Sequence, residues 1–153
     1  MDNVLAGRVA IVTGGAGGIG SRIARAYTAA GARVVIASRS QDKLDRLAAE
    51  LSASGPGSLA VATDVTVPEE VSNLFDRTVD AFGRLDILVN NAGGAMFVKQ
   101  PLDLLPEEWS AAIALNLTSV FLCSQAAAKV MIERGGGRII NISSVAGIRM
   151  SPG

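Results

Sequence analysis

The sequence predicts an α/β protein built on one doubly wound parallel sheet. Three observations carry that reading. Strand-like and helix-like segments alternate five times along the 153 residues. The strand-like runs are apolar at consecutive positions rather than alternate ones, as expected where both faces of a sheet are covered. Each run ends in glycines or small polar residues, the composition of tight connections into a following helix.

The first strand is Arg8-Val9-Ala10-Ile11-Val12-Thr13, ended by glycines. Gly18 to Ala30 follows as a helix with Ile19, Ile23, Ala24 and Tyr27 on one face and Gly31 as its stop. Arg33 to Ser38 is the second strand. Ser40 is placed to cap the next helix, where Leu44, Leu47, Ala48 and Leu51 follow helical spacing before Gly55-Pro56-Gly57 ends it. Ser58 to Thr63 is a third, weaker strand. Thr66 and Glu69 form a Thr-x-x-Glu capping-box pattern ahead of a helix with Val71, Leu74, Phe75, Thr78 and Phe82 on one side. Ile87-Leu88-Val89 is the fourth strand. One long helical region is expected from Pro106 to about Arg134, closed by Gly135-Gly136-Gly137, and Arg138 to Ile142 is the fifth strand. Crossovers of the usual right hand make such strands parallel.

Composition narrows the function. Hydrophobic residues make up 49% and charged residues 18%, which suits a single globular domain over residues 1–153. The 14 basic and 14 acidic side chains cancel without forming blocks, so neither nucleic acid nor an anionic membrane is an expected partner. Histidine is absent and cysteine occurs once, at Cys123. That excludes a histidine-based triad, an internal disulfide and a Cys/His metal site. The N-terminus lacks the basic start and long apolar run of a signal peptide, and the apolar stretches break before membrane-spanning length, so a cytoplasmic location is expected.

In open parallel sheets, ligands bind outside the carboxyl ends of the strands. Here those ends are Thr13-Gly14-Gly15, Ser38-Arg39, Asp64-Val65, Asn90-Asn91-Ala92-Gly93 and Ser143-Ser144, which the predicted topology brings to one edge. The first loop, Thr13-Gly14-Gly15-Ala16-Gly17-Gly18-Ile19-Gly20, leads straight into a helix. Glycines there let the backbone approach a diphosphate, and the helix end offers free N–H groups. A carboxylate at the end of the second strand suits a ribose 2′-hydroxyl, whereas an arginine suits a 2′-phosphate. This chain has Ser38-Arg39 and no acid before Asp42, which favours NADP(H) over NAD(H). The plainer reading of Arg39 is an exposed residue leading into a helix.

Taken in order, these motifs resemble the short-chain dehydrogenase/reductase family over essentially the whole chain. Thr13-Gly14-x-x-x-Gly18-Ile19-Gly20 is similar to its glycine motif. Asp64-Val65 looks like its adenine-contacting pair, and Asn90-Asn91-Ala92-Gly93 like its Asn-Asn-Ala-Gly signature. Asn116 matches the family's catalytic-helix asparagine, and Ser144 its catalytic serine. The resemblance implies a Rossmann-like sheet of order 3-2-1-4-5. It implies cofactor contacts by Gly14, Gly15, Ala16, Gly18, Ile19, Gly20, Ser38, Arg39, Asp64, Val65, Asn90, Ala92 and Gly93, with Ser144 and Asn116 catalytic and no metal. It also implies hydride transfer between the nicotinamide ring and a ketone or secondary alcohol, in a homo-oligomer (dimer or tetramer) of the full-length form, with NADP(H) favoured on the Arg39 argument above. The overall look is nearest the branch of 3-oxoacyl-thioester reductases and sugar or alcohol dehydrogenases. The family's Tyr-x-x-x-Lys is missing. Tyr27, on the first helix, cannot supply it, and nine residues follow Ser144. The chain is therefore expected to be truncated relative to the family, without its last strands and helices, to be inactive alone, and to leave the fifth strand as an open apolar edge. The alternative is a non-catalytic dinucleotide-binding or interaction module.

Overall fold

A computed structural model describes residues 3–97 and 99–145. Five parallel strands, β1 (Val9–Thr13), β2 (Arg33–Ser38), β3 (Ser58–Ala62), β4 (Ile87–Asn90) and β5 (Arg138–Asn141), form one sheet in the order β3-β2-β1-β4-β5. Helices α1 (Gly18–Ala29), α2 (Gln41–Ser54), α3 (Pro68–Phe82), α4 (Pro106–Ile113) and α5 (Ser119–Ile132) cover it. The expected fold class and strand order are those observed.

Side chains alternate across the strands, and each set has its own helices. Val9, Ile11, Val35, Ala37, Val61 and Leu88 pack with α3 and α5 through Val71, Leu74, Phe75, Cys123, Ala127 and Met131. Ala10, Val12, Val34, Ile36, Ile87 and Val89 pack with α1 and α2 through Ala24, Leu44, Leu47 and Leu51. Every residue of β1 and of β4 is buried, which explains the uninterrupted apolar runs. Cys123 belongs to this core, and burial pushes its thiol up to about 12.

The ends of the sheet opposite the glycine loop are tied by Asp86, just before β4. Its carboxylate accepts hydrogen bonds from Arg8 Nη1 (2.9 Å), Val9 N–H (2.9 Å), and Arg84 Nε (2.9 Å) and Nη2 (2.6 Å). Burial pulls this carboxyl upward, but the bonds from Arg84, Val9 and Arg8 together hold it below the usual carboxylate range.

Four local readings change. Ile19 is 62% exposed. The buried face of α1 is Gly20, Ala24 and Thr28, with Ile23 and Tyr27 partly buried beside it. Ser40 is the N-cap of α2, but its hydroxyl makes no capping bond. The Thr66/Glu69 capping box does not form. Pro68 opens α3 at its first position with Val67 as N-cap, and Thr66 instead donates to Asp64 Oδ1. The long helix runs to Ile132 but contains a π-helical turn at Ala114–Thr118, seen in the Ser119 N–H to Ala114 C=O bond.

With that turn included, Pro106–Ile132 is 27 residues, and by length and composition it is long and apolar enough to cross a membrane. This corrects the expectation that no apolar stretch reaches that length. In the fold Ser119, Cys123, Ala127 and Met131 are buried, while Leu117, Phe121 and Ile132 are exposed. On β5, Ile139 and Ile140 are each 40% exposed, and among the described residues β5 pairs with β4 alone.

Candidate cofactor site

A cavity of about 690 Å³ opens at the carboxyl edge of the sheet. Four strand ends contribute to its wall: Gly14 after β1, Ser38 and Arg39 at β2, Thr63 to Thr66 after β3, and Asn91 to Gly93 after β4. Gly17 to Gly20 form one side, and Met96, Ala111, Ala114 and Leu115 form another. The size falls within the usual range for small-molecule and cofactor pockets.

The first loop is shaped by backbone contacts that exclude side chains. Gly14 has a φ of +63°, a conformation L side chains rarely adopt. A Cβ on Gly20 would stand 2.3 Å from the Gly14 carbonyl oxygen and 2.7 Å from Asn91 Nδ2. These glycines let α1 begin directly against β1 and β4. Gly18 is different: a Cβ there would meet nothing within 4 Å, and the residue lines the cavity. The N-terminus of α1 has no side-chain cap, so its first N–H groups are offered to a ligand.

Thr13 and Asn91 fasten the loop to β4. Thr13 Oγ1 donates to the Val89 carbonyl (3.3 Å) and accepts from the N–H groups of Asn91 (3.0 Å) and Ala92 (3.1 Å). Asn91 Nδ2 donates back to the carbonyls of Thr13 (2.9 Å) and Gly14 (3.3 Å). Neither residue stood among the sequence-predicted site residues, although the signal was present in the Thr-Gly and Asn-Asn pairs.

The sequence-predicted residues divide into groups. Gly14, Gly18, Ile19, Gly20, Ser38, Arg39, Asp64, Val65, Ala92 and Gly93 line the cavity. Gly15 and Ala16 do not: Gly15 N–H bonds the Ala37 carbonyl, and Ala16 packs against the core beneath. Asn90 is buried, with Nδ2 donating to Ser124 Oγ (3.1 Å) and Asn141 Oδ1 (2.9 Å), so it ties β4 to α5 and β5. Asn116 lies in the π-helical turn. Its Oδ1 accepts from Gly94 N–H (2.9 Å), while Nδ2 donates to the carbonyls of Gly94 (3.1 Å) and Ala112 (3.0 Å). It thereby joins the loop after β4 to the helix. Ser144 is exposed and lies three residues past the end of β5.

The wall is polar where a nucleotide needs it. Ser38 Oγ is buried and makes no hydrogen bond among the described residues. Asp64 Oδ1 accepts from the Thr66 hydroxyl (2.7 Å) and N–H (2.9 Å). Those two bonds, with a smaller contribution from the positive charge of Arg39, hold the Asp64 carboxyl below its usual range despite partial burial. The open Gly18 cradle, the uncapped helix end and the orphaned Ser38 hydroxyl fit a dinucleotide's phosphates and ribose.

The model of the short chain dehydrogenase family matches residues 8–153. The chain belongs to the short-chain dehydrogenase family. It is 43% identical to a 3-oxoacyl-[acyl-carrier-protein] reductase of Synechocystis sp., over 97% of this chain and 60% of that protein. It is 40% identical to a D-threitol dehydrogenase of Mycolicibacterium smegmatis, over 95% of this chain and 55% of that one. Among solved structures, a short-chain type dehydrogenase/reductase from Mycobacterium marinum superposes with a TM-score of 0.93 at 38% identity, covering 99% of this chain and 61% of that one. The chain thus spans about three-fifths of the length of these short-chain dehydrogenase relatives. The family is one of oxidoreductases that use a nicotinamide dinucleotide.

Proposed function

We propose that the cavity binds NADP(H), and that the site serves hydride transfer between the nicotinamide and a ketone or secondary alcohol. The observation that carries the cofactor preference is Arg39 on the cavity wall at the end of β2, with no carboxylate on that strand. A guanidinium there pairs with a 2′-phosphate, and the neighbouring Ser38 hydroxyl is a second donor. Arg39→Ala is expected to weaken NADPH binding about tenfold or more while leaving NADH binding within about threefold. Titration of the wild type and the variant with both cofactors checks this. Equal losses would remove the 2′-phosphate role.

The other residues take the following parts. The N–H groups at the start of α1 hold the diphosphate over Gly18, and Asp64 with Val65 borders the adenine. Asn116 keeps Gly94 and the loop after β4 in place beside the π-helical turn. Ser144 hydrogen-bonds the oxygen of the substrate. NADPH, when bound, supplies the hydride. The substrate class is supported by the names of two relatives, a 3-oxoacyl-[acyl-carrier-protein] reductase and a D-threitol dehydrogenase.

The 153 residues contain no Tyr-x-x-x-Lys to move the hydroxyl proton. Positioned acid–base groups contribute roughly 10²–10⁴-fold, so these residues alone are expected to bind cofactor without reducing carbonyl compounds. Sustained NADPH oxidation by the pure 153-residue chain with a ketone would refute this. The exposed Leu117, Phe121 and Ile132 on the long helix favour self-association over a nucleic-acid partner. Sedimentation velocity is expected to show dimers or larger species, and a monodisperse monomer would contradict it.

A further inference from the structure

We propose that Glu70 is a positioning residue for the adenine half of the dinucleotide site, fixing Asp64 so that its second carboxylate oxygen is presented to the cavity. This rests on the reading of the cavity as a dinucleotide site, and it adds a residue outside the cavity wall.

Pro68 is the first residue of α3, which makes Glu70 the third. A glutamate at that position ordinarily reaches back to the N–H of the N-cap residue. Here the N-cap is Val67, and its N–H is already bonded to the Asp64 carbonyl (3.0 Å). Glu70 passes it by and accepts from the N–H of Asp64 at 2.6 Å, six residues earlier. Its partner is therefore a cofactor-site residue rather than the helix's own cap.

Asp64 is consequently held at three points. Its N–H is taken by Glu70, its carbonyl by Val67, and its Oδ1 by both donors of Thr66. Oδ2 has no hydrogen bond among the described residues, and Asp64 lines the cavity. A fixed, ionised carboxylate oxygen is an acceptor suited to an exocyclic amino group and repels a carbonyl at the same place. Without the Glu70 bond the Asp64 N–H loses its acceptor, and the aim of the carboxylate rests on Val67 and Thr66 alone.

The test uses reduced nicotinamide hypoxanthine dinucleotide phosphate, which carries an oxygen where NADPH has the adenine amino group. Affinities of both are measured for the wild-type chain, Glu70→Ala and Glu70→Gln, with the melting temperature of each ligand-free protein. The wild type is expected to prefer NADPH by about tenfold. Glu70→Ala is expected to bring that ratio to about threefold or less, and Glu70→Gln, which keeps an acceptor oxygen, to retain it. A purely structural role would weaken both ligands equally and leave the ratio unchanged, and that result would overturn the proposal. A wild type that binds both ligands equally would overturn it as well. A wild type that binds neither would instead overturn the dinucleotide reading of the cavity, and this proposal with it.

Discussion

A chain carrying Gly20→Ala is expected to lose NADPH affinity and thermal stability together, the affinity by roughly 100-fold, equivalent to about 3 kcal/mol. The reason is steric and local. The added methyl would lie 2.3 Å from the Gly14 carbonyl oxygen and 2.7 Å from Asn91 Nδ2, so the first turn of α1 must retreat from β1 and β4. That retreat moves the N–H groups that would hold the diphosphate and breaks the Asn91 bonds that fasten the loop. Gly18→Ala separates the two effects. Its methyl meets no protein atom within 4 Å, and alanine suits a helix better than glycine, so the fold is expected to remain intact or gain slightly. Binding should still weaken, because the methyl occupies the cradle. Calorimetric melting beside NADPH titration checks both variants. A Gly20→Ala protein that binds like wild type would show that the loop is not the phosphate site.

The second large effect is expected at the opposite end of the sheet. Asp86→Ala should destabilise the fold by about 3 kcal/mol, which lowers the melting temperature by roughly 6–12 °C. The Asp86 side chain is 7% exposed, and its removal leaves the fully buried Val9 N–H without its acceptor. The loss of the Arg8 and Arg84 pairs adds less, because both guanidinium groups are about half exposed. The effect has a pH signature. The folded-state pKa of Asp86 is depressed, so its stabilisation is present above the ordinary carboxylate pKa of about 3.9 and is lost as pH falls through the lower folded value. The gap between wild type and variant should therefore be full at neutral pH and close in acid. A gap that stays constant down to about pH 2 would assign it to packing rather than to charge.

Most of the fold was legible because its signals are redundant. Runs such as Val9–Thr13 and Ile87–Asn90 are apolar throughout, and burial on both faces leaves no other pattern available. The cavity wall was legible at the strand ends for a related reason, since parallel topology places every carboxyl end at one edge. What escaped was set by single atoms. Ile19 has the right spacing for the buried face of α1, but the first turn of that helix overhangs the cavity, and periodicity does not record where a helix leaves its sheet. Thr66 and Glu69 have capping-box spacing, but Pro68 starts the helix, Asp64 claims the threonine, and Glu70 accepts from the Asp64 N–H rather than from the N-cap. The π-helical turn around Asn116 inserts without interrupting an apolar sequence, so nothing in the pattern marks it. Ser144 lies three residues past the end of β5, where the family resemblance alone marks it as a site residue.

The most direct measurement is an equilibrium titration of the wild-type chain with NADPH, followed by the fluorescence of the reduced nicotinamide, with NADH and the Gly20→Ala protein alongside. Saturable binding of one NADPH per chain, tighter than NADH and lost in Gly20→Ala, is the expected result. Absence of saturable binding by either dinucleotide to a folded wild-type chain would contradict the assignment of the cavity.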